Sequence, residues 1–169
     1  MENDVELKSK FSNVFIMILT GLMENDMTNV KHYISDELYD MFQERCKKFK
    51  EQKEYQCYDE LNVGEVELLK KYDDEKYNYI EVRILSHYMD YVIDSESLKY
   101  KRGINDHRLD VNHHLLFRKR KDAASRGELV KCPNCGASLD INYNGRCSFC
   151  GTVTSVEKFD YVLVNIDNI

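Results

Sequence analysis

The sequence predicts an α+β fold: helices first, then a strongly curved antiparallel sheet wrapped around them, with a zinc ribbon inserted before the last strand. Three observations carry that expectation. Apolar residues in the first third of the chain recur at helical spacing, and those from about Cys57 onward alternate. Four cysteines, Cys132, Cys135, Cys147 and Cys150, stand in the pattern C-x2-C-x11-C-x2-C.

Leu7, Phe11, Val14, Phe15, Ile18, Leu19 and Leu22 lie on one face of a first helix, which ends near Glu24 where Asn25-Asp26 starts a turn. Few basic residues flank it, so the stripe is read as core rather than as a lipid-facing surface. A short helix is expected over 28–34. Ser35 then caps a third helix, with Asp36 and Glu37 well placed for its dipole. Leu38, Met41, Phe42, Arg45/Cys46 and Phe49 form its inward stripe, and Lys47, Lys48, Lys50 and Lys53 suit its carboxyl end.

Strands are expected over 63–71 and 77–94, joined by a turn at Asp73-Asp74-Glu75. Ile80, Val82 and Ile84 share a face, after which the apolar set passes to Leu85, Met89, Tyr91 and Ile93. A β-bulge near Ile84 would produce that change of face. Residues 94–105 read as a turn region. A strand over 108–120 follows, with Val111, His113, Leu115 and Phe117 on one side. A basic, small-residue link spans 121–126, and the alternation over 158–166 is a last strand that must return to the same sheet.

The cysteines come as two knuckles, Cys132-Pro-Asn-Cys135-Gly136 and Cys147-Ser-Phe-Cys150-Gly151. Two cysteines three apart on a tight turn face one ion, and the glycine admits the positive φ such a turn needs. Four thiolates fill a tetrahedral site and leave no open position for catalysis, so the expected cofactor is one structural Zn²⁺. Between the knuckles 138–143 reads as a short strand, and Asn144-Gly145 is a hairpin turn signal. Two disulfides or a redox C-x-x-C are the alternatives. No secretory leader accompanies the first, and redox motifs usually follow a strand and open a helix. Residues 131–154 are thus an inserted ribbon, and 1–130 plus 155–169 one domain; closing so long a loop costs little extra. Cys46 and Cys57 read as a buried thiol and a loop thiol without a role.

The 169 residues, 43 % hydrophobic, suffice for one domain with a small insert. A net charge of −6 argues against general affinity for nucleic acid or anionic membranes. That charge is unevenly spread: residues 1–98 hold 12 basic and 22 acidic side chains, residues 99–131 hold 10 basic and 4 acidic. The start Met1-Glu2-Asn3-Asp4 has the wrong charge for a targeting peptide, and the longest apolar run, Val14 to Leu19, is far shorter than the ~20 residues of a membrane span. The expected location is cytoplasmic. Lys99, Lys101, Arg102, Arg108, Arg118, Lys119, Arg120, Lys121 and Arg126 make the basic segment. It would either meet an acidic protein, anionic lipid headgroups or nucleic acid, or balance the acidic front half of the same molecule. Arg118, Lys119, Arg120 and Lys121 are its candidate docking residues.

The stretch CPNCGASLDINYNGRCSFCGTVTSVEKFDYVLVNI, with YMDYVID and LLFRKRKD ahead of it, resembles the bacterial zinc-ribbon branch of the Tim44-like domain family. That family is named for the membrane-recruiting anchor of the mitochondrial import motor and belongs to the nuclear-transport-factor-two-like (NTF2-like) superfamily. The resemblance implies a cone-like sheet around helices, the four cysteines as metal ligands, 159–163 as the closing strand, and a link to protein transport at the membrane periphery. Leu115 and Tyr161 stand where relatives often carry tryptophan. The superfamily also contains isomerases and dehydratases that use Asp, His and Tyr in the cone. Here Tyr88 and Asp90 share one strand face, His87 and Tyr91 the other, and adjacent His113 and His114 must point to opposite faces. The function expected is a non-enzymatic binding or adaptor domain with a protein partner. The alternative is a small-molecule binder or isomerase-like enzyme using the cone.

Overall fold

A computed structural model describes residues 2–123, 129–140, 146–152, 157 and 160–169. Helix α1 (Asp4–Glu24) opens with a capping box, the Asn3 side chain accepting from Glu6 N–H while the Glu6 carboxylate accepts from Asn3 N–H. It ends at Asn25 in the left-handed conformation, φ 52°. The expected second helix is one 3-10 turn, Lys31–Tyr33. Helix α2 (Asp36–Glu51) starts where Ser35 Oγ accepts from Leu38 N–H at 3.3 Å.

Four strands form an antiparallel sheet in the order β1-β2-β3-β6: β1 Glu54–Asp73, β2 Tyr77–Asp94, β3 Tyr100–Arg120 and β6 Val162–Ile166. Between β3 and β6 in sequence, β4 (Leu129–Lys131) and β5 (Ser138–Asp140) pair as a separate two-stranded sheet. β6 lies against β3, with Leu115 opposite Ile166 and Arg118 opposite Val162. On its other side Leu163 C=O accepts from Ser35 N–H at 2.9 Å, which ties the start of α2 to the sheet.

All seven residues of the α1 stripe are buried against the sheet. Phe11 stacks on Phe117 with ring centroids 3.9 Å apart, and Phe15 meets His113 at 4.8 Å. Ile80, Val82, Ile84, Leu115, Leu163 and Ile166 complete the inner layer. From α2 only Leu38, Phe42 and Cys46 are buried; Met41, expected inside, is 53 % exposed.

Several boundaries differ from the sequence reading. β1 begins at Glu54 rather than 63, which puts Cys57 in a strand, half-buried, and not in a loop. β3 begins at Tyr100, so only 95–99 of the expected turn region lies outside the strands. The early half of β3 is exposed on nearly every residue, so it shows no apolar alternation, and pairing with β2 is what holds it extended. The bulge expected near Ile84 is elsewhere. β2 keeps Ile80, Val82, Ile84, Ser86 and Tyr88 inward without a break. Its neighbours carry the irregularities. In β1 the inward set passes from Gln56 and Tyr58 to Leu61 and Val63, then to Val66 and Leu68, across register shifts at 59/62 and 63/65. In β3 residues 105–108 fall between Leu109 opposite Tyr88 and Ile104 opposite Asp90. Glycine serves two of these sites. A Cβ at Gly64 would lie 2.8 Å from His87 Nε2, and one at Gly103, φ 103°, 2.5 Å from Asp90 O. The Asn144-Gly145 turn, residues 141–143, Arg126, Lys158 and Phe159 lie outside the described residues.

Candidate functional site

The two knuckles repeat one hydrogen-bond scheme. Cys132 N–H donates to Ala137 O at 2.7 Å and Gly136 N–H to Cys132 O at 2.9 Å. Cys147 N–H donates to Thr152 O and Gly151 N–H to Cys147 O, both at 2.9 Å. Gly136 and Gly151 share φ 74°, with no heavy atom within 4 Å of a Cβ at either position. Glycine is therefore required at both by backbone conformation rather than by space.

This local geometry turns the sulfurs of Cys132, Cys135, Cys147 and Cys150 toward one another, all within 4.8 Å. Cys132 Sγ is 3.8 Å from Cys150 Sγ, and Cys135 Sγ 3.7 Å from Cys147 Sγ. A disulfide needs about 2.05 Å, so these are free thiols. Four sulfurs each about 2.3 Å from a tetrahedral zinc ion stand about 3.8 Å from one another. The donor set and its spacing thus fit a soft, four-coordinate dication. Hydrogen bonding divides the sulfurs. The Thr152 hydroxyl, 3.2 Å from Cys150 Sγ, holds that thiol down to about 5, and the Cys135 backbone N–H lowers Cys132. Cys135 goes the other way, to about 11: the Ala137 N–H lowers it, but lost solvation and the sulfurs of Cys150, Cys147 and Cys132 outweigh that bond. Thiolates this close repel, and a dication between them is what permits all four to ionise together.

The residues considered for acid–base chemistry are engaged in packing. His113, 1 % exposed, bonds through Nδ1–H to Asp167 O at 3.0 Å and through Nε2 to Tyr88 Oη at 3.3 Å. Burial pushes its pKa down, so the ring is neutral. Asp90 accepts from Gln56 Nε2 at 2.7 Å, and Gln56 Oε1 in turn faces Arg45. His87 and His114 lie on the outer face, His87 paired with Asp110 at 2.6 Å. The sequence reading puts these histidines and Asp90 on the strand faces they occupy, and the structure does not bring His87 to His113.

The basic segment is largely paired within the protein. Lys101 and Arg102 hold buried Glu54, Arg102 in bidentate fashion at 2.7 and 2.8 Å, and together they depress that carboxyl to about 2. Arg118 pairs with Glu157 at 2.8 Å and lies over the Tyr77 ring; Arg120 pairs with Asp122 at 2.7 Å and Lys121 with Asp73. Lys119 sits over the Tyr161 ring. Lys10 binds Asp160 at 2.6 Å, just before β6. Sequence reasoning missed the Glu54 cluster because its partners are 47 and more positions apart. The Asn3-x-x-Glu6 cap was missed as well, although that spacing is the signature of a capping box.

Two helices on a four-stranded antiparallel sheet, with a separate cluster of four cysteines, define the class: an α+β domain able to hold a metal ion. The chain belongs to the Tim44-like domain family, whose model matches residues 3–128. That match runs from the cap of α1 through β3 and ends before Cys132, so the four cysteines lie outside it. No curated protein matches the chain. No helix among the described residues is long and apolar enough to cross a membrane.

Proposed function

We propose that this chain is a non-enzymatic adaptor domain of NTF2-like cone form, into which residues 131–154 are inserted as a zinc ribbon. Membership of the Tim44-like family supports a binding role, and with it a place in protein transport at the membrane periphery. The observation that carries the non-enzymatic reading is the filled inner face. Phe11, Phe15, Tyr88, His113 and Phe117 occupy the space between α1 and the sheet where a substrate would have to sit. Cys132, Cys135, Cys147 and Cys150 hold one Zn²⁺, which orders the ribbon and supplies no reaction step. Six free thiols suit a reducing, cytoplasmic setting. The partner is a protein. An anionic lipid surface or nucleic acid would need unpaired cations, and Arg118, Arg120 and Lys121 already have acidic partners.

Elemental analysis of the purified protein tests the metal reading, with about one zinc per chain expected; less than about a tenth of that removes it. The adaptor reading is tested by affinity capture from the native cell with the zinc-loaded protein. A stable protein partner supports it. A turnover or small-molecule signal that vanishes in Asp90→Asn or His113→Asn overturns it in favour of the cone-cavity enzyme.

A further inference from the structure

Cys135 and Cys150 are exposed while Cys132 and Cys147 are 2 % exposed, so each knuckle turns its second cysteine to solvent and hides its first. Across the site every exposed sulfur lies against a hidden one of the other knuckle, Cys150 against Cys132 at 3.8 Å and Cys135 against Cys147 at 3.7 Å. We propose that the ribbon is an oxidation site, at which a hydroperoxide converts the four ligands into two disulfides between the knuckles, Cys132–Cys150 and Cys135–Cys147. The inference rests on the zinc reading above.

The geometry assigns separate roles to the two kinds of cysteine. An exposed thiolate attacks one peroxide oxygen; the O–O bond breaks, a sulfenic acid forms and hydroxide leaves. The hidden thiolate across the site then attacks the sulfenic sulfur, the S–S bond forms, and a second hydroxide leaves. Each round oxidises two thiolates by two electrons and reduces one peroxide. Two rounds consume all four thiolates, and the remaining sulfurs can no longer hold a dication. Exposure governs which sulfur reacts first, because the oxidant must reach it. Contact sets the pairing, because the sulfur against which each exposed cysteine makes its hydrogen-bonding contact belongs to the opposite knuckle. Reading the sequence alone would pair neighbours within each C-x2-C, whereas the structure places a resolving sulfur in the opposite knuckle. Bonds of that kind staple the knuckles together, so the oxidised ribbon stays closed after the metal has left and can be restored by thiol reduction.

The test uses the full chain as purified, with zinc measured before any oxidant is added. Hydrogen peroxide is then titrated in, zinc release is followed with a chromogenic chelator, and disulfides are mapped on unreduced peptides. Expected are release of the zinc with about two peroxides per ion, the bonds 132–150 and 135–147, and reversal by dithiothreitol plus zinc. Because a cysteine variant could simply lose the ribbon, the second measurement uses the unaltered protein. N-ethylmaleimide should modify Cys135 and Cys150 at least about tenfold faster than Cys132 and Cys147. Bonds 132–135 and 147–150, zinc retained in peroxide that oxidises glutathione, or equal alkylation of all four sulfurs would each overturn the proposal while leaving the zinc site standing. Protein that contains no zinc at the outset overturns the metal reading itself, and this inference with it.

Discussion

Gly136→Ala adds one methyl group at a position with φ 74° and no heavy atom within 4 Å of the new Cβ. Nothing has to move aside, so the whole cost is that of holding an L-residue in the left-handed region, about 1–2 kcal/mol. In the proposed zinc ribbon that energy is lost from the metal-bound state and not from an unfolded one, whose backbone is free to leave the region. Since about 1.4 kcal/mol is a factor of ten, zinc affinity should fall about 5- to 30-fold. Gly151 has the same φ and the same open space, so Gly151→Ala should match it, and the pair of changes should multiply. Competition titration against a chromophoric chelator reads the loss directly. Gly103→Ala is the control, because there a Cβ would lie 2.5 Å from Asp90 O and 2.6 Å from Tyr91 Cα. It should weaken the sheet and leave zinc affinity alone. Unchanged affinity in Gly136→Ala, or a loss confined to one of the two knuckles, would refute the view that backbone conformation sets the glycine requirement.

Arg118→Glu should loosen the return of the ribbon to the sheet by about 1 kcal/mol, seen as faster proteolysis between 123 and 160, and Arg118→Glu with Glu157→Arg should restore resistance. No restoration in the reversed pair would show that the contact does not hold the ribbon. Phe11→Ala removes a fully buried ring stacked at 3.9 Å on Phe117 and should cost about 3–5 kcal/mol in urea unfolding. A loss below about 1 kcal/mol would show that the contact between α1 and the sheet is loose. His113 is held neutral, its pKa below the ordinary 6.5, so the stability tied to it is present above that pH and lost as pH falls below it. Urea midpoints between pH 7.5 and 5.5 should therefore decline, and His113→Gln should flatten the decline. Glu54 adds a second loss at lower pH. Its carboxyl is depressed to about 2, so its contribution is present above about 4.5 and disappears as the pH falls toward 2.

Much was determined by local sequence alone. The α1 stripe, the Ser35 cap, the limits of β2 and the two C-x2-C-G knuckles follow from spacing and from residue types whose backbone preferences act within a few positions. Only the tertiary structure decided where the sheet changes face. β2 reads as though it carried the bulge because Leu85, Met89 and Tyr91 are apolar on its outer side, yet the extra residues sit in β1 and β3, where parity shifts show up only against a partner strand. It also decided the state of the basic segment, since Glu54, Asp73 and Glu157 are brought to Arg102, Lys121 and Arg118 only by the folding of distant parts of the chain onto one another. The four cysteines were legible as one cluster. Which of them face solvent, and which sulfur of one knuckle meets which of the other, came from folding two identical turns against each other, a relation that spacing along the chain does not contain.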